Sequence, residues 1–416
     1  AAVLSGLEDP SADVRREAIA ALCTHWDLML VARGAEALGA LLESEASSER
    51  IAGGAILARL NDRRHLRMLT PLLLDPDIAV QQAAAQHLSA RVDESCGFLL
   101  DELLAALPQA HSRAQQPLVE ALLAIGDSRV SEAILAHADA LPLGLLQRCA
   151  IFLASQGEPT VDLLRSIAQD AGRSHPERIL SVQSLALGGK QRRDFLSELA
   201  RCELTEAYST LRDGHQCLQL FVPQLPHALS PSEPEGDEQP PESAPPSILM
   251  RLDDASEILQ LALADRRREA LELVVEIVGF ASRHPDFDTI RSYCFSPDPV
   301  ARSYAIEALE NVADRPVFEL LLPFLTLDPK DELRMALGEL GERLGLARKE
   351  DDVLARRLED PHPWLRACAL FAATKSVHSG AGAAALRCQQ EADPILKETG
   401  AWAEQWLAAR AAAGRR

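Results

Sequence analysis

One phrase recurs along this chain and constrains its fold more than anything else in it. Asp9-Pro10 is followed by Val14, Arg15 and Ala18, and Asp75-Pro76 by Val80, Gln81 and Ala84. Asp328-Pro329 is followed by Leu333, Arg334 and Leu337, and Asp360-Pro361 by Leu365, Arg366 and Ala369. The acid stands at zero, a branched aliphatic at +5, Arg or Gln at +6 and a small or aliphatic residue at +9. Starts at Ser296, Asp328 and Asp360 are 32 residues apart. Weaker copies start at Ser44, Leu107, Leu141, Gly172 and Leu261, and the N-terminal starts are spaced by 31 to 35 residues. A self-similar period in this range marks a helical repeat array, here of roughly ten to twelve units.

Each phrase predicts a helix start. The Asp side chain is expected to cap the first turn, and the proline to occupy the first helical position, where its missing N–H costs nothing. Positions +5 and +9 lie on one helix face. Upstream of the phrase runs a second apolar segment, as at Leu69–Leu74 and Phe318–Leu325. Each unit is therefore a pair of helices, and the predicted fold is an all-α helical-hairpin solenoid. The register lapses only between about residues 190 and 260.

The pattern resembles HEAT repeats over nearly the whole chain, which implies a right-handed α-α superhelix. In that family the turn Asp and the Arg six residues on build a polar ladder between adjacent units. The resemblance assigns that role to Asp9 with Arg15, Asp328 with Arg334, and Asp360 with Arg366. Gln81 stands where Asp75 would have its Arg, which predicts a weaker rung and makes Gln81 a candidate partner contact. Ser296 keeps Arg302 but lacks the acid.

Charge narrows the function. With 62 acidic and 42 basic residues in 416, the formal charge is −20. A duplex nucleic-acid binder needs a basic footprint, so this balance argues against one. Aromatics are 4% of the chain, too few to suggest stacking platforms for single strands. Arg192-Arg193 and Arg266-Arg267-Arg268 read as solvated helix ends, with Arg266 and Arg268 as candidate partner contacts. The eight cysteines are scattered without a C-x-x-C pair, which suits a reducing cytosol. No secretory signal and no apolar span of membrane length is evident. The chain opens Ala1-Ala2-Val3 directly into a repeat, which reads as a processed product or a piece of a longer polypeptide.

Residues 230–247 interrupt the array with six prolines and five acids in 18 residues. Such a composition cannot pack a core and predicts a disordered acidic loop. It divides the chain into an N-terminal array over 1–229 and a C-terminal array over 248–416.

A search for chemistry returns little. No H-x-x-x-H, Cys/His cluster, nucleophile elbow or phosphate-cradling glycine loop is present. Nor is there a His-Glu dipeptide, which HEAT-like di-iron hydroxylases repeat. Asp253-Asp254 and Asp351-Asp352 precede helical runs and read as caps. We expect no catalytic, cofactor or metal site, and a protein that is not an enzyme.

Two stretches are less generic. Glu206-Ala207-Tyr208, Arg267–Val274 and Arg302–Asn311 form the first; Trp364–Ala372 (WLRACALFA) and Lys397–Ala403 form the second. Together they resemble the cytoplasmic HEAT-repeat region of bacterial transporter-like proteins related to ATP/ADP carriers. That resemblance implies a cytoplasmic array sited at the inner membrane beside a membrane protein.

The leading expectation is a non-catalytic interaction scaffold that binds a protein partner on its solenoid surface. Aromatics are enriched at binding hot spots. Trp364, at a turn beside Pro363, is a candidate contact, while Trp402 and Trp406 have helical spacing and read as packing residues. A regulatory HEAT domain of a nucleotide-transporter-like protein is the alternative. A HEAT-like chromophore lyase or glycosylase is more remote, since no residue can be named for its chemistry.

Overall fold

In a computed structural model the described residues are 2–60, 63–188, 190–221, 255–282, 287–326, 338, 340–344 and 352–413. They form helices and turns, with no strand among them. The described residues make an all-α array of helical hairpins. No described helix is long and apolar enough to cross a membrane. The acidic segment 230–247, Asp328, Arg334 and the Asp253-Asp254 pair fall outside the described residues.

The chain forms two compact units, one of residues 1–165 with 183–187, the other of residues 166–182 with 188–416. In the first, helices Ala12–Cys23, Leu28–Leu42, Ser47–Arg59, Ile78–Ser89 and Ser112–Ile125 succeed one another, joined by short turns, by 3-10 segments such as Arg63–Leu74 and by the short helix Leu100–Ala106. Small residues set the spacing between neighbours. A Cβ on Gly34 would lie 2.8 Å from both the Cys23 nitrogen and the Leu22 Cβ, so the two helices meet there backbone to backbone.

The recurring phrase folds differently from the expectation in one respect. The helices start at Ala12, Ile78 and Pro363, three residues after the acid rather than one. The acid makes an Asx turn instead. Asp9, Asp75 and Asp360 accept from the N–H two residues on, at 2.8, 2.8 and 2.9 Å. Capping passes to the next polar residue: Asp77 accepts from the Ala79 N–H at 2.8 Å and His362 from the Leu365 N–H at 3.3 Å. Proline at +1 sits in the turn, where its fixed φ suits the bend. Elsewhere Pro299, Pro363 and Pro394 do take the first helical position.

In the second unit, two long helices, Lys190–Phe221 and Ala255–Ser282, occupy the stretch where the register lapses and pack along each other. The Arg266-Arg267-Arg268 run therefore lies inside a helix, not at its end. Helices Pro363–Lys375, Ala381–Cys388 and Pro394–Ala413 close the unit around an apolar cluster that includes Leu259, Leu365, Leu370, Ala385 and Leu396. Cys368 belongs to that cluster, and burial pushes its thiol up to about 12, as it does for Cys149 and Cys294. These thiols are small apolar fillers.

Candidate functional site

Where they close, the rungs of the polar ladder connect one unit to its successor. Arg15 donates to the carbonyl oxygens of Asp9 and Pro10 at 2.8 and 3.0 Å, not to the Asp9 carboxylate. Arg50 does the same to Ser44 and Glu45 of its own turn. It then reaches the next turn and grips both oxygens of Asp75, at 2.7 and 2.8 Å. Such a two-pronged pair is the strong form of a charge-assisted bond. Arg366 likewise meets Glu391 of the following turn at 3.2 Å. A rung therefore closes when the following turn carries an acid. Behind Arg15 that place is held by Ser44, and no carboxylate pairs with Arg15 among the described residues.

Gln81 keeps the ladder by other means. Its amide donates to the Asp75 carbonyl at 2.6 Å and accepts from the His111 N–H of the next unit at 2.9 Å. Both ends of the side chain are engaged within the array.

The second unit keeps the Arg366 rung and adds an interior ionic network. The helix Lys190–Phe221 carries Glu203, Glu206 and Asp213 on one stripe, spaced three and seven residues apart. Glu203 is held between Arg178 and Arg266, with Arg266 Nη2 at 3.2 Å. Arg178 also donates twice to the Ala168 carbonyl, at 3.1 and 3.0 Å. Arg178 and Arg266 are 2% and 3% exposed. Arg266 is thus an interior strut and presents nothing to a partner; desolvating it is offset by Glu203, with Glu269 a further 3.7 Å away.

Further along the stripe, Arg357 binds Asp213 at 2.7 Å, Glu206 at 2.9 Å, Asp360 at 2.6 Å and the Ser209 hydroxyl at 3.1 Å. Arg356 pairs with the other Asp213 oxygen. Burial pushes the Glu206 carboxyl up, against the pull of Arg357. The guanidinium of Arg357 is held firmly protonated by these three acids despite its burial. Two histidines border the network: His362 lies 3.4 Å from Glu269 and His175 3.1 Å from Glu272. Burial alone would raise both carboxyls, but these histidines and neighbouring arginines hold them below the usual range. Sequence reasoning did not find Asp213 or Arg357. The available signal was three acids on one face of an otherwise amphipathic helix, which is unusual unless cations from other helices meet them.

Two candidate contacts remain at the surface. Arg268 is exposed, bonded to Glu272 at 2.8 Å and set 5.9 Å from the Phe295 ring centroid. Trp364 is 46% exposed at the start of its helix. Trp402 stacks on Phe371 at 4.9 Å, with Lys375 over both rings and over Trp406.

Beside the network lie two open grooves. One, of about 440 Å³, is lined by Thr210, Leu211, His215, Leu261 and Arg267 among others. The other, of about 380 Å³, is lined by Arg267, Arg268, Leu271, Phe295, Arg302 and Phe324 among others. No group of three or more His, Cys, Asp or Glu side chains able to hold a metal occurs among the described residues.

No protein-family model matches the chain, and no curated protein matches it either. Among solved structures it is similar to the crystal structure of Kap121p, at 12% identity over 98% of this chain and 45% of that one, with a TM-score of 0.30. It is also similar to the karyopherin Kap121p bound to the extreme C-terminus of the protein phosphatase Cdc14p, at 13% identity over 96% and 40%, with a TM-score of 0.28. The chain spans less than half the length of either. At such low superposition these likenesses carry no argument about partner or site.

Proposed function

We propose that this chain is a protein-interaction scaffold: a HEAT-like array that binds a protein partner on its helix surfaces and performs no chemistry itself. The observation that supports this reading best is how the ionisable side chains are used. Glu203, Glu206, Asp213, Arg178, Arg266 and Arg357 pair with one another inside the second unit, while the cavities nearby are open grooves on helix faces. Charged groups at a catalytic centre border a cavity that takes a substrate. Here these six join helices instead. Cross-linking of the chain in its native host, followed by mass spectrometry, tests the reading. A protein recovered reproducibly with it, and lost when Trp364 is changed to Ala, supports it. Recovery of the chain alone from both membrane and soluble fractions overturns it.

The more specific form of the proposal is a regulatory array at the cytoplasmic face of a transporter-like membrane protein. Its support is the resemblance at Trp364–Ala372 and Lys397–Ala403. These segments form the helices Pro363–Lys375 and Pro394–Ala413, which pack together. The full reading frame tests it: upstream apolar segments of about 20 residues support it, and a start codon directly before Ala1 counts against it.

A further inference from the structure

Arg267 is a half-buried arginine with no acid to meet. It stands at +6 of the weak copy of the phrase at Leu261, but that copy lies within the helix Ala255–Ser282 and has no turn of its own, so the rung bonds that Arg15 and Arg50 make have no counterpart there. No hydrogen bond or ion pair reaches Arg267 among the described residues. Burial lowers its pKa, and no acid opposes that effect. A half-buried guanidinium left in this state is costly.

The surroundings specify what would relieve it. Arg267 forms the wall shared by the two grooves. In the smaller groove it stands with Arg268 and Arg302 over Leu271, Phe295 and Phe324. Arg302 donates to the Ser296 carbonyl at 3.2 Å and pairs with no carboxylate among the described residues. Arg268 is shared with Glu272. The acid among the lining residues is Asp265, which is exposed. The result is a cationic, apolar-floored groove on a chain whose formal charge is −20.

We propose that this groove docks an acidic, apolar-bearing linear segment of a partner protein, a carboxylate meeting Arg267 and Arg302 and an aliphatic or aromatic side chain covering Leu271, Phe295 and Phe324. A guanidinium fork matches a carboxylate in two places, and an apolar floor that excludes water strengthens the pair. The open form suits an extended peptide better than a small molecule, which is normally enclosed over most of its surface. A nucleic acid would need a broader basic surface than these three arginines provide. The inference rests on the scaffold reading and names its docking chemistry.

The test uses the full chain and fluorescence anisotropy with a labelled ten-residue peptide that alternates glutamate pairs with leucine and phenylalanine. One control replaces each glutamate by lysine; the other replaces the apolar residues by serine. The acidic apolar peptide should bind, with both controls weaker by about tenfold or more. Arg267→Gln should weaken binding by about tenfold, and Arg267→Lys, which keeps the charge and loses the fork, by less. The thermal midpoint of Arg267→Gln should be unchanged or higher, showing that the fold is intact. Equal binding of the acidic and lysine peptides, or wild-type affinity in Arg267→Gln, overturns the proposal. Cross-linking separates it from the scaffold reading. A partner captured equally by wild type and Arg267→Gln defeats the groove but leaves the scaffold, and failure to capture any partner defeats both.

Discussion

Asp75 performs two tasks with one carboxylate: it turns its own chain at Asp77 and receives Arg50 from the preceding unit. Both partners are largely buried, so removing one strands the other. Asp75→Asn should cost about 3 kcal/mol in urea unfolding at neutral pH. Burial alone would raise this carboxyl, but Arg50 and the Asp77 N–H hold it below the ordinary range. Its folded-state pKa therefore lies below the unfolded value of about 3.9. Such a group stabilises the fold above that value, and its contribution is lost as pH falls through the folded pKa. Wild-type stability should drop more steeply than that of Asp75→Asn below about pH 4, as read by thermal melts across pH. A second residue-scale prediction concerns Gly400, whose added Cβ would sit 2.7 Å from the Ala385 carbonyl oxygen and 3.0 Å from the Gln389 nitrogen. Since both are backbone atoms, neither can rotate aside. Gly400→Ala should lower stability by about 1–3 kcal/mol in the same assay.

At the scale of elements, the long helix Lys190–Phe221 is bound to its neighbours through charge as well as through apolar contact. Arg357 is the point on which three acids converge. Arg357→Met keeps the volume but leaves Glu206, Asp213 and Asp360 without their main cation. We expect a loss of about 3–5 kcal/mol in chemical unfolding. Replacing the acids as well, with Glu206→Leu and Asp213→Leu, should restore much of it, because an interior with no charge needs no pairing. The helices themselves were legible in the sequence because their signals are local: the period, the turn residues and the spacing of Val80 and Ala84 or of Leu365 and Ala369. The register of the rungs was not. The resemblance implied a ladder between adjacent units, but offset +6 did not say which acid each arginine meets; Arg50 reaches past its own turn to Asp75. The network was harder still, since Arg357 and Asp213 are separated by 144 positions. Nothing in a single sequence announces a pairing at that range.

For the molecule as a whole, thiol chemistry offers a direct check on where the interior lies. Cys96, Cys149, Cys217, Cys294, Cys368 and Cys388 are buried, Cys23 is intermediate and Cys202 is exposed. Burial and the charges of Glu198 and Glu203 raise the Cys202 thiol, so even this site should react slowly at neutral pH and faster as pH rises. Titration with a disulfide reagent should show Cys202 modified first, Cys23 next, and the six buried thiols only on unfolding. Early modification of Cys149 or Cys368, seen by peptide mapping, would contradict the packing described. Finally, because a rung closes across a junction, no hairpin is self-sufficient. The acid at Asp75 belongs functionally to Arg50, and Ser44 leaves Arg15 unanswered. Hairpins that look interchangeable as modules are therefore ordered by their seams. Transposing the Asp75 hairpin to follow Arg15 would supply that arginine with an acid and leave Arg50 without one, so the same parts in another sequence would make a differently charged surface.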